Sequence, residues 1–189
     1  MEIDSSSMIK LETLSTVSSS PTEKIHLRPM TLSDVDDFMV WATDSNVTRF
    51  CTWEPYTSRE AAIAYLNDVV LPHPWLRAIC LDNDRPIGSI SVTPVDKIRG
   101  EIGYVLGSKY WGKGIATEAV RLVAAEIFKE NPEMERLEAL VDVDNVGSQK
   151  VLEKVGFVRE GVMRKFMYLK GNVRDMVMFS FLPSDSLQY

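Results

Sequence analysis

Two cysteines and two histidines are all this 189-residue chain holds of the side chains that build most zinc and thiol sites. Cys51 and Cys80 lack any metal-ligand spacing, and His26 and His73 lie far apart, so neither a metal site nor a histidine relay is expected. With no secretory leader, the thiols should stay reduced in a cytoplasmic or nuclear setting, where the Asn46-Val47-Thr48 sequon has no meaning. A basic excess is also missing. Against 27 Asp and Glu stand 21 Lys and Arg, a net charge of −6 that excludes non-specific nucleic-acid binding and would suit a cationic acceptor. No apolar run approaches the ~20 residues that span a bilayer, so a membrane partner is not expected either.

What remains is an ordinary globular composition, 45% hydrophobic and 25% charged, with length enough for one domain and a substantial core. Residues 1–24 differ: seven Ser, three Thr and four acidic residues without a period read as a disordered tail. Lacking Arg and carrying early acids, that tail does not read as a transit peptide. From 25 to 189 the elements follow closely. A short strand at 25–29 precedes a helix capped by Ser33, and Thr57 with Glu60 suggests a capping box for a helix over 61–70. Strands are expected at 75–81, 87–92 and 100–106, the first two joined as a hairpin through Asp82–Arg85. A helix with a broad apolar stripe follows from Gly114 to about Lys129. A strand over 137–143, a short helix ending at Gly156, and last strands at 157–166 and 176–182 complete the order. This mixture indicates an α/β or α+β domain without a repeat.

The most informative stretch is Tyr110 to Ala119, YWGKGIATEA. Gly112 and Gly114 sit between a strand and a helix. A glycine turn entering a helix leaves several N–H groups unpaired and places the positive end of the helix dipole there, a seat for phosphate, with Lys113 adding charge. A plain chain reversal would use the same glycines. A Walker loop is absent, and the dinucleotide fingerprint fails because position 117 is Thr.

The second stretch, Asp144-Asn145-Val146-Gly147-Ser148 through Gly156-Phe157, offers Asn145 as an N-cap. Ser148, Val151, Leu152 and Val155 fall on one helical stripe, so the Ser148 hydroxyl needs a partner, whether a backbone carbonyl, a water or a ligand.

Together these segments resemble the GNAT superfamily of acyl-CoA N-acyltransferases. There the pyrophosphate-binding pattern is Arg or Gln, two residues, Gly, one residue, then Gly or Ala. Trp111 to Ala116 is similar to it, although Trp111 replaces the Arg or Gln. That replacement and the Ala-Thr-Glu-Ala continuation resemble the RimJ/RimL-type branch of ribosomal-protein alanine N-acetyltransferases, and the element order extends the likeness over 25–189. The resemblance implies a central, mostly antiparallel twisted sheet of about seven strands, with a splayed central pair and helices on both faces. It implies acetyl-CoA as co-substrate, without a metal. The pyrophosphate would lie on Trp111, Gly112, Lys113, Gly114, Ile115, Ala116 and Thr117. The pantetheine arm would lie along Tyr104, Val105 and Leu106 and touch Asn145.

The implied reaction is direct transfer of acetyl to an amine, most simply the N-terminal α-amine of a protein or peptide. By the same resemblance Ser148 protonates the departing thiolate, since Leu152 stands where many relatives carry a Tyr; otherwise a water does so or the thiolate leaves unprotonated. The resemblance offers Glu160 as the base, with Glu101, entering the splayed strand, and a water chain as the alternatives. Trp53, Tyr56 and Tyr168 are aromatics that either line the acceptor cleft or pack as core and rim. Glu118 reads as a helix residue without a place at the acetyl group. The alternatives are a small amine or a Lys side chain as acceptor, and an acyl-CoA-binding module without turnover.

Overall fold

A computed structural model describes residues 24–188, so the expected tail lies outside the described residues apart from Lys24. Seven strands form one sheet in the order β1-β2-β3-β4-β5-β7-β6. They are β1 (His26–Arg28), β2 (Leu76–Cys80), β3 (Pro86–Pro94), β4 (Arg99–Leu106), β5 (Arg136–Asp142), β6 (Val158–Leu169) and β7 (Asn172–Phe181). The helices are α1 (Val35–Ala42), α2 (Ser45–Thr48), α3 (Arg59–Tyr65, extended by a π turn Leu66–Val70), α4 (Ile115–Glu130) and α5 (Val146–Val155). Strand alternation divides the core between the two faces of the sheet. On β2, Ile79 packs with Ile115 and Ile127 of α4, while Ala78 and Cys80 pack with Phe38 of α1 and Leu66 beyond α3.

Among the described residues only β4 and β5 pair in parallel, and α4 is the crossover such a pair requires. Their register covers just Arg99–Arg136, Gly100–Leu137 and Glu101–Glu138, although β4 runs on to Leu106 and β5 to Asp142. The two strands therefore part after Glu101, and the opening points toward the start of α4 and the start of α5.

Local departures from the sequence reading have local causes. The helical entry is set not by Ser33 but by Thr31, which caps a 3-10 turn (Leu32–Asp34) running into α1; Asp34 closes that capping box by accepting the Thr31 N–H at 2.8 Å while forked onto Arg28. Ser58 rather than Thr57 caps α3, its hydroxyl accepting the Ala61 N–H at 3.1 Å. Helix α2 is four residues long, too short to show a period. The last hairpin is longer than its apolar pattern: β6 and β7 meet at a two-residue turn, Lys170-Gly171, with φ of 47° and 81°. Two successive positive φ values match the twist of a tight hairpin, but Lys-Gly is not the Asn-Gly signature that announces one.

Candidate active site

The parting of β4 and β5 opens a cleft of about 540 Å³. Tyr104, Val105 and Leu106 of β4 form one wall, the glycine turn and first residues of α4 a second, and Asn145 to Ser148 a third. From the other side α2 and its continuation, including Val47, Arg49 and Phe50, close over it.

The amides of the glycine turn have no backbone acceptor among the described residues. Among the described residues the six consecutive N–H groups from Gly112 to Thr117 donate to nothing, and the first paired amide is that of Glu118, bonded to the Gly114 carbonyl at 3.0 Å. Gly112 and Gly114 hold φ of 74° and 81°, and a Cβ on either would meet no atom within 4 Å. The glycines serve an unusual backbone path and keep the ground above it clear, so an anion can come down onto the amides. Trp111 anchors this path, its indole Nε1 donating to the Leu106 carbonyl at 2.7 Å. The residue that departs from the Arg-or-Gln pattern therefore ties the turn to the end of β4. Lys113 lies over the Tyr110 ring at 5.7 Å rather than in the cleft wall, and Glu118 is paired with Arg121 at 2.5 Å.

At the α5 side, Asn145 Oδ1 accepts the Ser148 N–H at 3.2 Å, and its Nδ2 makes no hydrogen bond among the described residues. Ser148 is half-buried, with its Oγ 2.7 Å from the Tyr104 hydroxyl, which is also 3.1 Å from the Ser148 carbonyl. Burial pushes the Tyr104 phenol well above its ordinary range, although the Ser148 hydrogen bond opposes this. Leu152 is fully buried beneath α5 and does not reach the cleft.

The two candidate carboxylates sit differently. Glu101 is half-buried at the last paired rung, opposite Glu138, and its carboxylate makes no hydrogen bond or ion pair among the described residues. Burial, then the neighbouring Glu138 charge, raise its pKa. Glu160 is not brought to the cleft. Arg136 grips both its oxygens at 2.6 and 2.8 Å and Ser180 donates at 2.7 Å, which hold it down to about 2. A carboxylate so satisfied has little affinity for an amine proton, and this argues against the base role that the resemblance suggested for it.

Several contributors were not read from the sequence. Asp142, 3% exposed, accepts two bonds from Arg174 at 2.6 Å and the Asp144 N–H at 2.8 Å, which locks the turn into α5 against β7. Helix α2 is held between both flanks of the cleft. Ser108 donates to its cap residue Asp44 at 2.5 Å, and Lys170 donates to the Thr48 carbonyl at 2.8 Å. An apolar strand ending in Asp, and a lone Asp before Ser-Asn, were the available signals. Trp53 and Tyr56 pack with Phe38 in the α1–α3 core, and Tyr168 is 72% exposed. Ligand atoms of His26, Cys80 and Asp84 lie within 4.8 Å of one another, but Arg28 Nε donates to the same Asp84 oxygen that His26 approaches, which makes an ion-pair cluster.

A splayed parallel pair beside the unpaired amides of a helix N-terminus is the arrangement that the family resemblance led one to expect. Residues 24–158 match the acetyltransferase (GNAT) domain; the chain belongs to this family and is an acyl-CoA-dependent N-acetyltransferase. It is 35% identical over 171 residues to an uncharacterised N-acetyltransferase of Bacillus licheniformis, covering 87% of this chain and 96% of that one. Two solved structures share the fold at lower identity. One is RimL, a ribosomal alpha-N-protein acetyltransferase, in complex with coenzyme A (TM-score 0.74, 23% identical, 86% and 95% of the chains covered). The other is a spermidine N-acetyltransferase from Vibrio cholerae in complex with CoA and spermine (0.71, 18%, 85% and 96%). Among the described residues no helix is long and apolar enough to cross a membrane.

Proposed function

We propose that the chain moves the acetyl group of acetyl-CoA directly to the N-terminal α-amine of a protein or peptide. The observation that carries the donor half is the run of unpaired amides from Gly112 to Thr117 at the head of a sixteen-residue helix. In this reading the pyrophosphate rests on those amides, and the pantetheine enters between β4 and β5 beside Tyr104, Val105 and Leu106, with Asn145 Nδ2 as a donor to it. A free backbone N–H of β4 polarises the thioester carbonyl. Ser148 faces the departing sulfur. Glu101 takes the amine proton, directly or through water. Fixing donor and acceptor together supplies the rest, since well-oriented groups reach effective molarities of roughly 10⁵–10⁸ M.

The acceptor follows from charge. An α-amine with a pKa of about 7.7–8.0 is partly neutral at cellular pH, whereas a Lys near 10.4 needs roughly 3.5 kcal/mol more deprotonation work. A single carboxylate such as Glu101 is enough for the first. The spermidine enzyme's likeness of fold favours a polyamine instead, but Arg49 opposes it. Arg49 lines the cleft over the Phe50 ring at 5.0 Å and places one positive charge where a polycation would enter. The enzyme would act in the cytosol, on protein or peptide amines, without nucleic-acid or membrane partners.

Thermal unfolding tests the donor half. Acetyl-CoA at about 100 times its Kd adds roughly 2.7 kcal/mol, a Tm rise on the order of 5–11 °C, which CoA should match and ATP should not. Gly114→Val should abolish the rise, because a β-branched residue is strained at that φ and its methyls would stand over the amides. An unchanged rise in the variant would remove the glycine turn from the site. Peptide amines and spermidine then compete as acceptors in a thiol-release assay.

The acceptor's own α-amine sets one acidic limb of kcat/KM at about pH 7.7–8.0, and Glu101→Gln should remove the second, lower limb. A base must be deprotonated, so the wild-type rate falls as pH drops through the raised Glu101 pKa. Glu160→Gln should leave that limb in place. A lower limb that survives in the Glu101 variant would assign proton removal to water alone.

A further inference from the structure

Between Tyr104 and Ser148 there are more hydrogen-bond acceptors than protons to fill them. The phenol has one proton and two acceptors on the same residue, Ser148 Oγ at 2.7 Å and the Ser148 carbonyl at 3.1 Å. If the phenol donates to the carbonyl, the short contact must be made by the serine proton, donated back to the phenol oxygen. The serine is then closed on itself and has nothing to offer the cleft. If the phenol donates to Oγ, the serine proton is free to turn away from Tyr104, toward the space between β4 and α5. The same heavy atoms thus support two proton arrangements, and only the second presents a donor to a ligand.

Building on the donor reading above, we propose that Tyr104 is the positioning residue of the transfer step: by donating to Ser148 Oγ it turns the serine proton toward the sulfur of the leaving thiolate. The pair gives a hydrogen bond, not a net proton. Burial keeps the phenol protonated, so no tyrosinate forms. The step balances without one. The amine nitrogen bonds the acetyl carbon, the carbon–sulfur bond breaks with its electron pair on sulfur, and the thiolate is held by Ser148 Oγ–H. The proton that finally neutralises it is the one the amine sheds. Donation from the phenol also strengthens the serine as a donor, because a hydroxyl that accepts one bond gives a better second one. Tyr104 lies on β4 and Ser148 on α5, so their contact spans the opening between the strand and the helix, beside the path proposed for the pantetheine.

The rival role is a tie that merely holds α5 to β4, and kinetics separate the two. Acetyl-CoA stabilisation and basal transfer by the wild type are measured first; without them the donor reading fails, whatever Tyr104 does. Tyr104→Phe keeps the ring and removes the proton. It should lower kcat on the order of tenfold, the rate equivalent of one neutral hydrogen bond, with the Kd for acetyl-CoA within about twofold. Added to Ser148→Ala it should change kcat no further, because nothing is left to orient, although the phenol still reaches the carbonyl at that position. Three results overturn the proposal: an unchanged kcat in Tyr104→Phe, the same tenfold loss in the Ser148→Ala background, or a loss of acetyl-CoA binding in Tyr104→Phe. A melt of each variant shows that it is folded before its rate is read.

Discussion

Ser148→Ala is expected to lower kcat by roughly 10²–10³, the usual effect of removing one donor aimed at charge that develops in the transition state. The geometry makes this a clean deletion. The Ser148 N–H that Asn145 accepts belongs to the backbone and survives, so the α5 cap is kept. Alanine is the better helix former, and the half-buried site gains no unpaired group, so Tm should hold or rise slightly. The Tyr104 phenol relaxes onto the carbonyl it already reaches at 3.1 Å. Affinity for acetyl-CoA should stay within about twofold, because the amides that would bind the pyrophosphate belong to another element. Saturating donor and acceptor with free thiol as the readout give kcat directly. A wild-type kcat would reduce Ser148 to a packing residue and leave the thiolate to water.

What the sequence disclosed about this site was whatever rests on backbone geometry or short spacing. The Gly112 and Gly114 turn was legible because two glycines one residue apart mark a strand-to-helix junction, although a plain chain reversal would use them too, and Ser148 because four residues recur at helical spacing. The splayed central pair was expected from the family resemblance alone. Side-chain partners far apart in the chain were not legible. Glu160 resembled a base until Arg136, 24 residues away, was found holding both its oxygens. Arg174 and Asp142, separated by 32 residues, carry no local mark of their pairing. The end of β6 was missed because an edge strand exposed at Glu160, Arg164 and Lys165 lacks clean apolar alternation.

The position of the opening itself has a chemical cause. Glu101 and Glu138 face each other at the last paired rung, and like charges directly opposite weaken a ladder. Arg136 at 2.8 Å and Arg99 at 3.5 Å neutralise Glu138 and so permit that rung. Glu101 has no such cover, and beyond it the ladder stops. The residue that best fits the base thus stands where the strands separate, with a pKa raised by the same burial and the same neighbour.

Asp142→Ala should be the most damaging single change to stability among these residues. Asp142 is 3% exposed and accepts three hydrogen bonds, two from Arg174 and one from the Asp144 N–H. Breaking a buried pair by removing one partner costs about 3–5 kcal/mol. Arg174 keeps Asp144 at 2.5 Å and some exposure to water, which places the loss near the lower figure. For a chain of this size about 3 kcal/mol is a Tm drop of roughly 6–12 °C. Asp142→Asn keeps the shape and isolates the charge through pH. Burial raises the Asp142 pKa, but the Arg174 hydrogen bonds and the Asp144 N–H outweigh it and leave the carboxyl below its ordinary range. A depressed carboxyl contributes stability that is complete above its unfolded value of about 3.9 and is lost as pH falls through the folded value. The gap in Tm between wild type and Asp142→Asn should therefore be full at pH 7 and shrink below about pH 4. A gap of equal size at pH 7 and pH 3 would show that shape, not charge, joins the turn before α5 to β7. In that case the asparagine variant should also keep the wild-type kcat, because the start of α5 carries both Asn145 and Ser148.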